Sequence, residues 1–154
     1  MNANESEARI SNVIWAYINN HDHEGLENHL EMTKNKIDIT RLYNSSGFTP
    51  IHLAAYKGQN QTIQIMIDFV LGISRDKEGN EIQSIQDEKL KTQRKVLRNW
   101  INLQTQGEDS FTALHFASFH GNLSLVRMLI KHGADIFMTN KNGLSMIHVA
   151  AQGD

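Results

Sequence analysis

Histidines are the residues whose type and spacing first invite a chemical reading of this chain. His52, His115 and His148 each close a related tetrapeptide: Thr49-Pro50-Ile51-His52, Thr112-Ala113-Leu114-His115 and Ser145-Met146-Ile147-His148. An imidazole can ligate a metal or serve as a general base near neutral pH. His21, Asp22, His23 and His29 form a second, local group, but spacing sets no fourth ligand there, and a His-rich tract is only a compositional hint. Asp76, Glu78, Asn80 and Asp87 offer the oxygen ligands of a calcium loop. Such a loop needs Gly at its sixth position and Glu at its last; Glu81 and Asp87 stand there, so calcium is excluded. The chain has no Cys, which removes thiolate metal sites, disulfides and a Cys nucleophile. It carries no Gly-rich phosphate loop, no Gly-x-Ser-x-Gly and no acids paired by a motif. No catalytic residue, metal site or cofactor is expected.

The spacing of the tetrapeptides points elsewhere. Thirty-three residues separate Thr112 from Ser145, and Thr49 lies one such period plus an insert of thirty before Thr112. Recurrence at this period is the signature of a helical solenoid. Stacked units hold equivalent positions about 8–10 Å apart, too far for three histidines to share a metal with bonds of about 2 Å. Their expected role is structural, a ring nitrogen bridging backbone groups between adjacent turns.

Each tetrapeptide must be set in place by a turn and a helix. Asn44 and Gly47 suit a tight turn. Thr49 can cap a helix, and Pro50 falls at the first helical position, where its missing N–H costs nothing. Ile51, Ala54 and Ala55 form an apolar stripe, Gly58 ends the helix, and Ile63, Ile65, Met66 and Ile67 mark a second helix. The same grammar runs from Ser110 through Gly121 to Gly133, and starts again at Asn140-Lys141-Asn142-Gly143. First helices are expected near residues 9–20, 50–57, 113–120 and 146–152, and second helices near 24–32, 62–70 and 125–132.

These units resemble ankyrin repeats. The turn, the Thr-Pro-Leu-His-like start, the Ala pair, the mid-repeat Gly and the His132-Gly133-Ala134-Asp135 end fall in order. Departures are Gly107 and Ser110 in the third turn, Ala113 and Met146 in place of Pro, and Gly153 one residue early. The resemblance implies an all-α solenoid divided as a capping helical repeat (1–43), a repeat (44–70), a polar and charged insert (71–99), a repeat (100–139) and a partial repeat (140–154). An array that stops after one helix is expected to be part of a longer protein. A finer similarity, of residues 100–105, 111–118 and 148–154, is to the ankyrin region of protist Asp-His-His-Cys S-acyltransferases, and implies a substrate-recruiting segment of a membrane enzyme without its catalytic part.

The insert divides its charge. Acidic residues dominate residues 76–88, whereas Lys89, Lys91, Arg94, Lys95 and Arg98 are basic. Ile82, Ile85, Leu90, Val96 and Leu97 suggest a partly amphipathic helix over 81–99, read as a solvated loop and helix dispensable for folding.

In ankyrin repeats recognition uses turn tips and the exposed side of the first helix. On matching positions the tips are Ser45, Ser46 and Phe48; Glu108, Asp109 and Phe111; and Lys141, Asn142 and Leu144. The helix positions are Tyr56, Lys57, Phe119 and His120. The resemblance therefore implies a protein or peptide partner on the concave face, with Phe48, Tyr56, Phe111 and Phe119 as aromatic anchors and Glu108, Asp109 and Lys141 tuning charge at the rim. A formal net charge of −2 argues against a nucleic-acid partner. The longest apolar run, residues 63–73, is broken by Gln64, Asp68 and Gly72 and is too short to cross a bilayer. With neither Cys nor an N-terminal signal, a cytoplasmic location is expected, or the cytoplasmic face of a membrane if the parent is an S-acyltransferase.

Overall fold

The structure, a computed structural model, describes residues 3–83 and 86–153. Helix α1 (Ala3–Asn19) starts six residues before the expected position. Asn4, Glu5 and Glu7 of this extension are exposed, and Glu5 in the first turn suits the positive end of the helix dipole. Ile14 and Ile18, one turn apart, are fully buried. The Asp22 carboxylate accepts the Gly25 N–H at 2.9 Å and so caps α2 (His23–Thr33), which buries Leu26 and Leu30. A 3₁₀ turn (Ile39–Arg41) leads out of this pair.

Helices α3 (Pro50–Tyr56) and α4 (Asn60–Leu71) follow. Thr49 Oγ1 accepts the His52 N–H, and the His52 ring accepts the Thr49 N–H, a reciprocal cap in which His takes the place of the usual Glu. In α4, Ile63, Met66, Ile67, Val70 and Leu71 face the core. The helix ends at Gly72, left-handed at φ +72°, with the Ile73 N–H returning to the Asp68 carbonyl.

The insert differs from its sequence expectation. Residues 81–83 are extended, not helical: β1 (Ser74–Arg75) pairs antiparallel with β2 (Glu81–Gln83). The Asp76 carboxylate holds the connecting turn by accepting the N–H groups of Glu78 and Asn80 at 3.0 and 2.8 Å, and such local bonds compete with a helix. Ile82 is exposed, and Ile85 lies outside the described residues. Helix α5 (Asp87–Ile101) then packs on α4 and on the 3₁₀ turn. Its end is core: Leu97, inside the insert read as solvated, and Trp100 and Ile101, at the start of the following repeat, are at helical spacing and at most 1% exposed.

Helices α6 (Ala113–Phe119) and α7 (Leu123–Lys131) form the next unit, and α8 (Met146–Gly153) closes the stack. The first helices α1, α3, α6 and α8 pack in a row, and α2 packs on α4 beside it. Fully buried Ala54, Ala55, Ala113 and Ala117 allow close approach within this row. At the C-terminal end α8 comes so near α6 that a Cβ on Gly153 would run into the Phe119 carbonyl.

Candidate protein-binding face

The motif histidines are committed to the scaffold. His52 Nδ1 accepts the Thr49 N–H at 3.0 Å, which places the proton on Nε2, and Nε2 donates to the Leu103 carbonyl at 2.8 Å, in the next turn of the stack. His115 repeats this with the Thr112 N–H and the Leu144 carbonyl, both at 3.0 Å. Burial pushes His52 down to about 4, against the Leu103 carbonyl, which favours the charged ring; His115 is lowered for the same reasons. With both nitrogens engaged, neither ring is free to bind a metal or move a proton. His148 Nδ1 accepts the Ser145 N–H at 3.2 Å at the exposed end of the series. In the N-terminal group, His29 Nε2 lies 2.8 Å from the Ile10 carbonyl, and Asp22 is the helix cap described above.

Turn chemistry sets the recognition tips. Asn44 Oδ1 accepts the N–H groups of Ser46 and Phe48, and Asn140 Oδ1 those of Asn142 and Leu144. The turn after Thr105 lacks this Asn, and Thr105 Oγ1 accepts the Phe111 N–H instead. Gly47 and Gly143 sit at φ +78° and +76°; Ser110, at the same place in the departing turn, is held at φ +52°. Gly47 is also crossed by the next turn, Gln106 N–H donating to the Gly47 carbonyl at 2.9 Å. Ser45, Ser46, Glu108, Asp109, Lys141 and Asn142 are exposed on these tips, and Leu144 is half-buried.

The aromatic positions converge on one residue absent from the sequence-derived set, Phe116. Its ring, 9% exposed, has Phe48, Phe111 and Tyr56 at centroid distances of 5.3, 5.5 and 5.8 Å. Phe48 is therefore half-buried packing beneath the face, while Tyr56 and Phe119 remain 53% and 44% exposed. Tyr56, Phe111, Phe116, Phe119 and Val149 line an apolar hollow of about 190 Å³, with His115, His120 and Gln152 as polar neighbours. His120 is exposed and stacks edgewise on Tyr56 at 5.7 Å and Phe119 at 5.3 Å; Lys57 is half-buried outside the hollow. Register explains the lining: Tyr56, Phe119 and Gln152 are the same position of successive repeats, as are Leu53, Phe116 and Val149. The aromatic ring where other units carry Leu or Val is the signal in the sequence that marks Phe116.

Two sequence descriptions of known repeats match the chain: "Ankyrin repeats (many copies)" over residues 97–150 and "Ankyrin repeat" over residues 46–75. The chain belongs to the ankyrin-repeat family. It is 46% identical over 52 residues to the Notch-regulated ankyrin repeat-containing protein of Xenopus tropicalis, a match covering 34% of this chain and 46% of that one. Against the transient receptor potential cation channel subfamily A member 1 homolog of Caenorhabditis elegans it is 27% identical over 125 residues, 77% of this chain but 10% of the channel. The chain thus spans less than half the length of the curated relatives it matches. A chain in the crystal structure of the yeast ribosomal protein Rps3 in complex with its chaperone Yar1 shares the fold: TM-score 0.66 at 19% identity, covering 99% of this chain and 87% of that one. The fold is an all-α ankyrin solenoid, a protein–protein interaction module of a generally non-catalytic kind. No described helix is long and apolar enough to cross a membrane.

Proposed function

We propose that this chain binds a protein or peptide on the concave face formed by α3, α6 and α8, seating one bulky apolar side chain in the hollow above Phe116. The observation that carries this reading is the hollow itself. Tyr56 and Phe119 leave large aromatic area in water beside it, although neither belongs to the buried core of the stack. Docking there removes that area from water, the property of a binding hot spot. Glu108, Asp109 and Lys141 stand on exposed tips where a partner's charges meet them. The proposed setting is the cytoplasm. The alternative, a recruiting segment of a membrane-bound palmitoyltransferase, rests on the sequence resemblance alone; a downstream Asp-His-His-Cys segment with transmembrane helices in the gene would support it.

The test uses a partner recovered from the native cell and then purified. Tyr56→Ala and Phe119→Ala should each weaken the complex by about 2 kcal/mol or more, with little change in the thermal melt. Glu108→Ala should cost less and depend on salt. Phe116→Ala should destabilise the fold by about 3 kcal/mol or more, because it empties the floor. Unchanged affinity in the Tyr56 and Phe119 variants would place the interaction elsewhere.

A further inference from the structure

Helix α5 carries five cations against two carboxylates, in a chain whose formal net charge is −2. Its basic residues are not scattered. Lys91, Arg94, Lys95 and Arg98 follow an i, i+3, i+4, i+7 pattern, so they share one side of the helix, and all four are exposed. The buried side, Leu97, Trp100 and Ile101, holds the helix against α4. Lys91 pairs with Glu88 at 3.3 Å, but among the described residues Arg94, Lys95 and Arg98 form no ion pair. Elsewhere Arg75 is paired with Asp68, Lys34 with Glu31 and Arg41 with Asp38. Arg94, Lys95 and Arg98, like charges lined up on one helix, repel one another, and among the described residues no carboxylate lies within ion-pair distance of them.

The stripe is also held in fixed register with the third repeat. Asn102, just beyond α5, donates to the Gly133 carbonyl at 3.0 Å and accepts the Asp135 N–H at 2.8 Å. Arg98 crosses Gly133 so closely that a Cβ there would lie 2.8 Å from Arg98 Cγ. This brings the stripe to the end of α7, where Lys131 is exposed and His132 half-buried. His132 is lowered first by burial and then by Lys131; Asp68 of α4 acts the other way, and Arg75 and Arg94 lower it by less. The face lies with α4 and α7, whereas the aromatic hollow is lined from the turns and from α3, α6 and α8.

We propose that the solvent face of α5, with Lys131 at the end of α7, is a second docking surface that takes an extended acidic peptide segment of a partner protein. Lys91 to Arg98 spans roughly 10 Å of helix, matched by three to four residues of extended chain at about 3.3 Å each. A short acidic segment can pair with the stripe without meeting the carboxylates that dominate the rest of the surface. A long nucleic acid would meet them, since its binding scales with the phosphates it can neutralise. A lipid surface would need apolar side chains beside the cations, and α5 exposes no large apolar residue.

The experiment measures three probes in parallel at low salt: a fluorescein-labelled peptide of alternating Glu and Gly, a single-stranded oligonucleotide, and a phosphatidylserine-containing vesicle. The peptide should bind more tightly than the other two, weaken with added salt, and raise the pKa of His132 read by NMR. Arg94→Glu with Arg98→Glu should weaken peptide binding at least about tenfold and abolish the His132 response. If that double variant melts early, Arg94→Gln and Lys95→Gln singly should each give a smaller loss in a folded protein. Tyr56→Ala should leave peptide binding unchanged, which separates this surface from the concave face. Equal peptide affinity in the wild-type and α5 variants, or preference for the oligonucleotide or the vesicle, would overturn the proposal.

Discussion

His52 shows how one side chain links the local cap to the stack. Its Nδ1 closes the cap of α3 and its Nε2–H reaches the Leu103 carbonyl of the following turn. Protonating Nδ1 would set a donor against the Thr49 N–H, so the folded state keeps this ring neutral. Burial holds it at about 4 in the folded protein, against 6.5 for the free side chain. Between those two values the unfolded chain binds more protons, so the stabilisation is complete above about pH 6.5 and is lost as pH falls towards about 4. His115 and His132 are shifted in the same direction and add to it. Urea unfolding should show stability dropping by about 1.5 kcal/mol from His52 alone between about pH 6.5 and about pH 5. A flat profile there would show that the His52 bridge is not made in solution.

At the scale of elements, the insert has two parts of different weight. The β1–β2 hairpin is tied to the stack by the forked ion pair of Arg75 with Asp68, at 2.7 and 3.1 Å, which lies at the edge of the solvent and contributes on the order of 1 kcal/mol. Closing a surface loop of different length adds little. Helix α5, by contrast, ends in Leu97, Trp100 and Ile101, all buried. Replacing residues 74–83 with a short Gly/Ser linker should therefore leave the melting midpoint nearly unchanged. Trp100→Ala should cost about 3–5 kcal/mol. Trp100→Phe should cost far less than Trp100→Ala, because the buried Nε1 has no hydrogen-bond partner among the described residues to lose. Chemical denaturation of the three variants checks the ranking. A melt that collapses on hairpin replacement alone would assign the hairpin to the core.

At the scale of the molecule, the stack passes its contacts from neighbour to neighbour: α1 to α3, α3 to α6, α6 to α8. Stability in such arrays is close to a sum of units and their interfaces. Removing residues 140–153 uncovers the side of α6 against which Val149 is buried and leaves the His115 Nε2–H without its Leu144 acceptor. Hydrogen exchange should then accelerate first in α6 and α7, while α1 and α2 keep their protection. Uniform loss along the chain would show that the units fold as one cooperative block.

Much of this architecture is set by the sequence within a few residues of each position. A Thr or Ser cap with His three places on, a left-handed Gly in a turn and an apolar stripe at helical spacing are all short-range devices, which is why the helix starts at Pro50, Ala113 and Met146 and the structural role of the motif histidines could be read directly. The insert shows where that stops. Residues 81–83 pair as a strand because the Asp76 turn brings them back to Ser74 and Arg75, and Leu97 is core because α5 packs on α4; the partner in each pairing is not set by the local pattern. The candidate site divides along the same line. Tyr56 and Phe119 are named by their place in the repeat. Only tertiary stacking gathers them with Phe116, Val149 and Gln152 around one hollow, because it brings α3, α6 and α8 side by side although an insert of thirty residues separates the first two in the chain.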